Sequence, residues 1–323
     1  MKDLSKGDAA DHQAVRLAEI DEGSAGQRID NFLLRELKGV PKSHIYRILR
    51  SGEVRVNSKR IDATFRLSEG DKVRIPPVRT ALPGPAAPAG TGLEKRIVFE
   101  DDYLIAIDKP AGVAVHGGSG VSSGVIERLR AERPQAKFLE LVHRLDRETS
   151  GLLLIAKKRA ALTSLHEQLR VGSTDKRYLA LAGGRVRDIK RKVILALHKF
   201  TTADGDRRVM VDSAGQHAET IFHRRERFAD ATLMEAHLLT GRTHQIRVHL
   251  ASIGHPIAGD DKYGDFQVNR TLARQGLKRM FLHAACLSLD HPATGARLEL
   301  ECALPDELEH FLTTLAPWTD AST

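Results

Sequence analysis

Apolar residues recur along the chain with two different periods. Ile29, Phe32, Leu33 and Leu37 share one face at helical spacing, and Gly39 is placed to end that helix. Ile45, Ile48 and Leu49 predict a second short helix, with Ser43 as its cap. Gly52 breaks the pattern. Val54 and Val56 then alternate with polar residues, as do Val73 and Ile75, and each stretch predicts a half-buried strand. Residues 23–77 therefore read as a small α+β domain. Residues 1–22 are polar and read as a disordered extension. The Pro-, Ala- and Gly-rich stretch 78–92 has no period and reads as a linker.

Residues 93–323 form the second domain. Strands are expected at 103–107, 151–156, 177–181, 209–211, 219–222, 232–238, 282–289 and 298–302, the last two flanking a turn at 291–296. A helix carrying Leu162, Leu165 and Leu169 follows the second of these strands. In another helix Thr243 is the expected N-cap, Ile246, Leu250 and Ile253 share a face, and Gly254 with Pro256 closes the end. Many strands with few helices between them predict an α+β chain with a large mixed, mostly antiparallel sheet.

Composition adds little until charge is counted. A hydrophobic fraction of 41% and 28% charged residues are ordinary for a globular chain. The net charge is +8, however, and residues 26–79 hold thirteen Lys and Arg against six Asp and Glu, a net of +7. Concentration of nearly all the excess in one small domain predicts a surface for a phosphate backbone. The polar N-terminus is no signal peptide, and no apolar run reaches membrane-spanning length. Two cysteines, Cys286 and Cys302, are too few for a disulfide framework, so a cytoplasmic protein is expected. Glycines at 112, 117, 118 and 120 do not form either nucleotide-binding fingerprint, and nucleotide binding is rejected. No metal site is expected either: no HExxH occurs, and His244 and His249 are five apart, off a common helix face.

The stretch LVHRLDRETSGLLLIAKK, residues 141–158, sets Asp146 between Arg144 and Arg147 at the mouth of an apolar strand. This is either a surface ion pair or a carboxylate kept charged by an adjacent arginine for nucleophilic or electrostatic work. A second cluster, Arg242, His244 and Gln245, opens the helix after Gly241, where donors suit a phosphate or a buried carboxylate. Arg247 lies beside that helix's apolar face. Tyr178, taken alone, reads as a core tyrosine.

Residues 26–76 resemble the S-four RNA-binding domain through Arg28, Ile29, Asp30, Leu33, Ser43, Ile48, Gly52, Val54, Val56, Asn57 and Gly70. The rest resembles the RluA-type family of pseudouridine synthases. The matching segments are Asp108-Lys109-Pro110-Ala111-Gly112, the nonapeptide 143–151, Lys176-Arg177-Tyr178, the segments 241–249 and 254–264, and Leu282-His283-Ala284. The resemblance implies an enzyme with an S-four domain joined to a pseudouridine synthase catalytic domain. Asp146 would be the catalytic aspartate and Arg247 its partner. Tyr178 would stack on the uracil and assist proton removal. Arg144 would take the space of the flipped base, and Ile246 would line the pocket. Arg242, His244, Gln245 and Lys109 complete the implied substrate-binding set.

Moving a base from nitrogen to carbon attachment neither oxidises nor loses a group, so no cofactor and no metal are expected. The carboxylate could attack carbon 6 or the ribose, or remove a ribose proton. The stretches 116–120 and 139–143 are most similar to family members acting on 23S ribosomal RNA. The implied partner is 23S rRNA or a precursor large subunit, met by a monomer, with no membrane. Two other readings stand beside this one. A catalytically idle rRNA-binding assembly factor would tend to lose Asp146, Tyr178 or Arg247. A metal-independent nuclease or glycosidase would need a second facing carboxylate, for which Asp260 and Asp261 are the contenders.

Overall fold

The computed structural model describes residues 15–21, 23–37, 40–78, 92–117 and 123–319. The helix stop expected at Gly39, the glycines at 118 and 120, and most of the expected linker and N-terminal extension lie outside the described residues. The chain divides into two compact units, Met1–Ala86 and Ala87–Thr323.

The first unit contains strand β1 (Arg16–Glu19), helices α1 (Ile29–Glu36) and α2 (Lys42–Arg50), and strands β2 (Arg55–Val56), β3 (Lys59–Arg60) and β4 (Lys72–Ile75). The sheet order is β1-β4-β2-β3. Strand β1 corrects the expectation of disorder through residue 22. Leu17 pairs opposite Arg74 and Ala18 opposite Val73, and Ile20 is buried. Polar composition hid this strand, whose pairing is chiefly through the backbone. Ser43 lies inside α2 rather than capping it, and Pro41 stands at the N-cap. Proline's fixed φ and missing N–H cost nothing at a helix start. Ile29, Phe32 and Leu33 of α1 pack with Ile45, Ile48 and Leu49 of α2 against Val54, Val56 and Val73.

In the second unit, β5 (Ile97–Glu100) and β6 (Leu104–Lys109) precede α3 (Val125–Glu132). Then come β7 (Glu140–Leu141), β8 (Ser150–Ala156), α4 (Arg159–Val171), β9 (Asp175–Gly183) and β10 (Lys190–Ile194). The hairpin β11 (Leu197–Thr201) and β12 (Arg207–Val211) follows, then β13 (Glu219–Arg227), β14 (Ala231–Leu238), α5 (Gln245–Ser252) and α6 (Phe266–Arg274). The unit ends with β15 (Leu282–Asp290), β16 (Arg297–Glu301) and α7 (Asp306–Thr314). The main sheet runs β10-β13-β14-β9-β15-β8-β6-β5, with β16 on β15 and β7 on β8. Among the described pairings only β8 with β15 is parallel. The fold is thus α+β with a large mixed, mostly antiparallel sheet, as the strand count predicted.

Strand β8 is buried along its whole length. Leu153 and Ile155 enter one core, with Tyr178, Ile246 and Leu250, while Leu152 and Leu154 enter another, with Leu162 and Leu165 of α4. A strand covered on both faces has no polar alternation, which is why 151–156 is a continuous apolar run. The elements that the pattern did not reveal carry weak signals. Strand β10 buries only Val193, and α6 buries no residue. Among the described residues no helix is long and apolar enough to cross a membrane.

Candidate active site

The loop that brings Asp146 to β8 is clamped from three sides. The backbone N–H of Thr149 donates to the Asp146 carbonyl at 3.2 Å, closing a turn. Arg279 donates to Ser150 Oγ at 2.9 Å, so the Ser150 hydroxyl is left to donate to His283 Nδ1, also 2.9 Å away. His283 Nε2 in turn donates to the Cys302 carbonyl at 3.1 Å. Gly151 sits at φ 103, and a Cβ there would stand 2.3 Å from the carbonyl oxygen of Ala284. The parallel pairing with β15 thus requires the glycine after Ser150. The third clamp is the Lys109-Pro110-Ala111-Gly112 turn. Gly112 N–H donates to the Arg147 carbonyl, and Arg147 Nε donates to the Gly112 carbonyl, both at 2.9 Å.

Lys109, an expected substrate ligand, completes this clamp, with its ammonium engaged by the backbone. It is fully buried, and its Nζ donates to the carbonyls of Pro110 (2.8 Å), Val113 (2.8 Å) and Arg147 (3.0 Å). Burial pulls its pKa down to about 7, while one carbonyl for each N–H favours the ammonium. Its distance in sequence from Arg147 concealed this structural use.

Neither arginine adjacent to Asp146 pairs with it. Among the described residues the Arg144 side chain makes no hydrogen bond or ion pair, and Arg147 turns to Gly112 and Glu148. The cation at Asp146 is Arg247, with Nη1 3.4 Å from Oδ2. His244 Nε2 faces the other oxygen, Oδ1, at 3.8 Å. Arg247 is itself fixed by Asp260: Nε and Nη2 each donate to a carboxylate oxygen at 2.7 Å. Asp260 also accepts from the backbone N–H groups of Lys262 (2.9 Å) and Tyr263 (3.1 Å). Burial raises the Asp260 pKa, but Arg247 and these backbone donors outweigh it and hold the group below the usual range.

Helix α5 is buried on every side, and Thr243 does not cap it. His244 is the N-cap residue, at φ 54 in the left-handed region. Such a conformation in a non-glycine residue is held by its surroundings. Gly254, at φ 85, ends the helix as expected. Gln245 was an expected substrate ligand, yet its amide is saturated by the protein. Oε1 accepts from Thr240 Oγ1 (2.8 Å) and Arg242 N–H (2.9 Å), and Nε2 donates to the Glu219 carbonyl and Thr220 Oγ1, both at 2.9 Å. Arg242 is exposed and tethered through Nε to the His217 carbonyl at 3.0 Å.

These side chains border a cavity of about 590 Å³, whose lining includes Arg144, Asp146, Tyr178, His244, Ile246 and Arg247. Tyr178 lies opposite Ala236 of β14 and Ala284 of β15, small neighbours that leave its ring room. Burial and then the charge of Asp146 push its pKa up, and its hydroxyl has no hydrogen-bond partner among the described residues. Lys176 also lines the cavity, two positions before Tyr178 on β9 and so on the same face, and burial lowers its pKa. Sequence reasoning missed Lys176 as a site residue, although alternation along β9 would have found it. It also missed Asp260 as the anchor of Arg247, and Tyr263, whose hydroxyl reaches His244 Nδ1 at 2.7 Å.

Residues 103–252 match the RNA pseudouridylate synthase family model, and residues 27–73 match the S4 domain. The ribosomal large subunit pseudouridine synthase C of Yersinia pestis is 54% identical over 93% of this chain and 96% of its own length. The protein of the same name from Escherichia coli strain K12 is 52% identical over 94% and 97%. Among solved structures, human RNA pseudouridylate synthase domain containing 4 superposes with a TM-score of 0.58 at 27% identity, over 69% of this chain and 94% of that one. With an S4 domain, a pseudouridylate synthase domain and relatives above 50% identity along nearly its whole length, the chain belongs to the RluA-type pseudouridine synthases and is an isomerase of that family.

Proposed function

We propose that this chain converts specific uridines of 23S ribosomal RNA to pseudouridine, with Asp146 as the reacting carboxylate. The ribosomal large subunit named for the relatives supports the substrate. The single observation that carries the residue assignment is the Asp146–Arg247–Asp260 series, in which a buried, doubly anchored guanidinium orients one carboxylate at the edge of a cavity.

The reaction breaks the bond from ribose to N1, turns the uracil and joins carbon 5 to the ribose. Attack on carbon 6, attack on the ribose and removal of a ribose proton all require one carboxylate at the base–sugar junction. A paired base hides that junction, so the nucleotide has to leave the helix. The cavity is of a size for one nucleotide. Arg144 is exposed and free of partners, which suits a side chain that fills the vacated stack. Tyr178 offers an aromatic face and an unengaged hydroxyl beside Asp146, and Ile246 supplies an apolar wall. His244 and Arg242 remain as donors at the mouth.

The glycosidase alternative needs a second working carboxylate. Asp260 is fully engaged with Arg247 and the backbone, and Asp261, 74% exposed in its side chain, makes only a 3.5 Å contact to Arg247 Nη2. The basic first unit adds phosphate contacts, which position RNA without choosing its sequence.

Carbodiimide mapping of 23S rRNA from cells lacking the protein tests this reading. Specific pseudouridines are expected to vanish, to return with the wild-type chain, and to stay absent with Asp146→Asn although that variant still binds RNA. An unchanged modification pattern in the deletion strain, or full restoration by Asp146→Asn, overturns it.

A further inference from the structure

Tyr263 lies between the β11–β12 hairpin and the cavity. The backbone N–H of Val209 in β12 donates to the Tyr263 hydroxyl oxygen at 2.8 Å. The same oxygen is 2.7 Å from His244 Nδ1. A backbone amide can only donate, so the tyrosine oxygen accepts from Val209 and its own proton is free for His244. With the tyrosine proton directed to Nδ1, that nitrogen accepts and the neutral imidazole carries its own proton on Nε2. Nε2 is the nitrogen that faces Asp146 Oδ1. Burial depresses the His244 pKa first of all. The charges of Asp146 and Asp260 oppose that effect, while Arg247 and Lys262 reinforce it, so the ring is held towards its neutral form.

The two carboxylate oxygens of Asp146 thus face different side chains, Oδ2 Arg247 Nη1 at 3.4 Å and Oδ1 His244 Nε2 at 3.8 Å, the latter beyond direct hydrogen-bond reach. The hairpin is tied to the Tyr263 loop by further contacts. Arg208 Nη1 donates to the Lys262 carbonyl at 3.2 Å, and Lys262 pairs with Asp206. Arg247 also lies over the Tyr263 ring, 5.1 Å from its centroid. The ring and the hydroxyl therefore have separable uses.

We propose that Tyr263 is a positioning residue that fixes His244 as the Nε2–H tautomer, so that this N–H becomes a directed donor on the Oδ1 side of Asp146. The inference rests on Asp146 being the reacting carboxylate. A donor fixed before substrate arrives needs no reorganisation during the reaction, and removal of one such donor costs on the order of 10²-fold in turnover. A tautomer with the proton on Nδ1 would instead turn a lone pair towards the carboxylate and repel it.

The test combines a spectrum with kinetics. In the full-length protein labelled with 15N-histidine, the His244 resonances, identified by their absence in His244→Gln, should show a protonated Nε2 and an unprotonated Nδ1. Tyr263→Phe keeps the ring over Arg247 but removes the hydroxyl. It should mix the two tautomers and lower the single-turnover rate on 23S rRNA by about tenfold with RNA affinity unchanged. His244→Ala should lower that rate by about 10²-fold. His244→Gln, which places an amide N–H near the Nε2 position, should recover part of the loss. A proton on Nδ1 in the wild-type protein, a wild-type rate in Tyr263→Phe, or equal losses in His244→Ala and His244→Gln would overturn the relay. If Asp146→Asn were fully active, the underlying functional reading would fail instead, whatever the tautomer.

Discussion

Arg247 and Asp260 are joined by two parallel hydrogen bonds of 2.7 Å between side chains that are 4% and 0% exposed. This pair, rather than any residue beside Asp146 in sequence, fixes the cation that Asp146 meets. Asp260→Ala would leave a buried guanidinium with only the longer contacts to Asp146 at 3.4 Å and to the exposed Asp261 at 3.5 Å. The expected loss is about 3–5 kcal/mol of stability, read from urea unfolding, because a broken buried pair strands a charge. A loss below about 1 kcal/mol would show that Arg247 has another adequate partner.

Arg144 differs in kind. It is exposed and its side chain makes no hydrogen bond or ion pair among the described residues, so Arg144→Ala should leave the melting temperature unchanged. Surface substitutions of this sort usually cost no more than about 0.5 kcal/mol. Its kcat/KM on 23S rRNA should nevertheless fall by tenfold or more, about 1.4 kcal/mol of transition-state stabilisation. Wild-type kcat/KM in this variant would remove Arg144 from the site.

Acid should weaken the second unit before its carboxylates titrate. Burial, assisted by the positive charge of Lys176, lowers the His143 pKa to about 4, and burial lowers that of His249 to about 4. Both values lie below the ordinary histidine value of about 6.5. The unfolded chain therefore binds protons that the folded chain refuses. The contribution of these two histidines should be complete above about pH 6.5 and fall as the pH drops towards 4, with each adding up to about 1.4 kcal/mol per pH unit. Urea midpoints measured from pH 7 to pH 4.5 check this, and a flat profile would contradict it.

Deletion of residues 1–80 should weaken binding to 23S rRNA and flatten its salt dependence, since each lost phosphate contact lowers the slope of log affinity against log salt by about 0.7–0.9. Titrations at several salt concentrations provide the measurement. Equal slopes for the full and shortened chains would assign no phosphate contacts to the basic unit.

Much of this was legible in the residues alone. The apolar run at 151–156 is a strand buried on both faces, and the alternations at Val54–Val56 and at Val73–Ile75 mark strands of the first unit. The same kind of signal failed wherever an element depends on backbone pairing or on a partner far along the chain. Strand β1 is mostly exposed, and its pairing with β4 leaves little trace in hydropathy. Lys109 was implied as a ligand only by the family resemblance of its segment. Its use, three backbone carbonyls beneath the Asp146 loop, depends on Arg147, 38 residues away.

Periodicity, charge and contiguous motifs are local properties of a chain, and they were enough to mark the two-part organisation, the fold class and the family. They also singled out Asp146, Tyr178 and Arg247. How these residues act on one another depends on the folded arrangement. Arg144 and Arg147 lie within two residues of Asp146 but form no ion pair with it, whereas Arg247, 101 residues on, reaches it from a buried helix. Asp260, Tyr263 and Val209 then fix the orientation of Arg247 and His244. Which donor faces which oxygen is set by folding, since hydrogen bonds act over about 3 Å of space irrespective of separation along the chain.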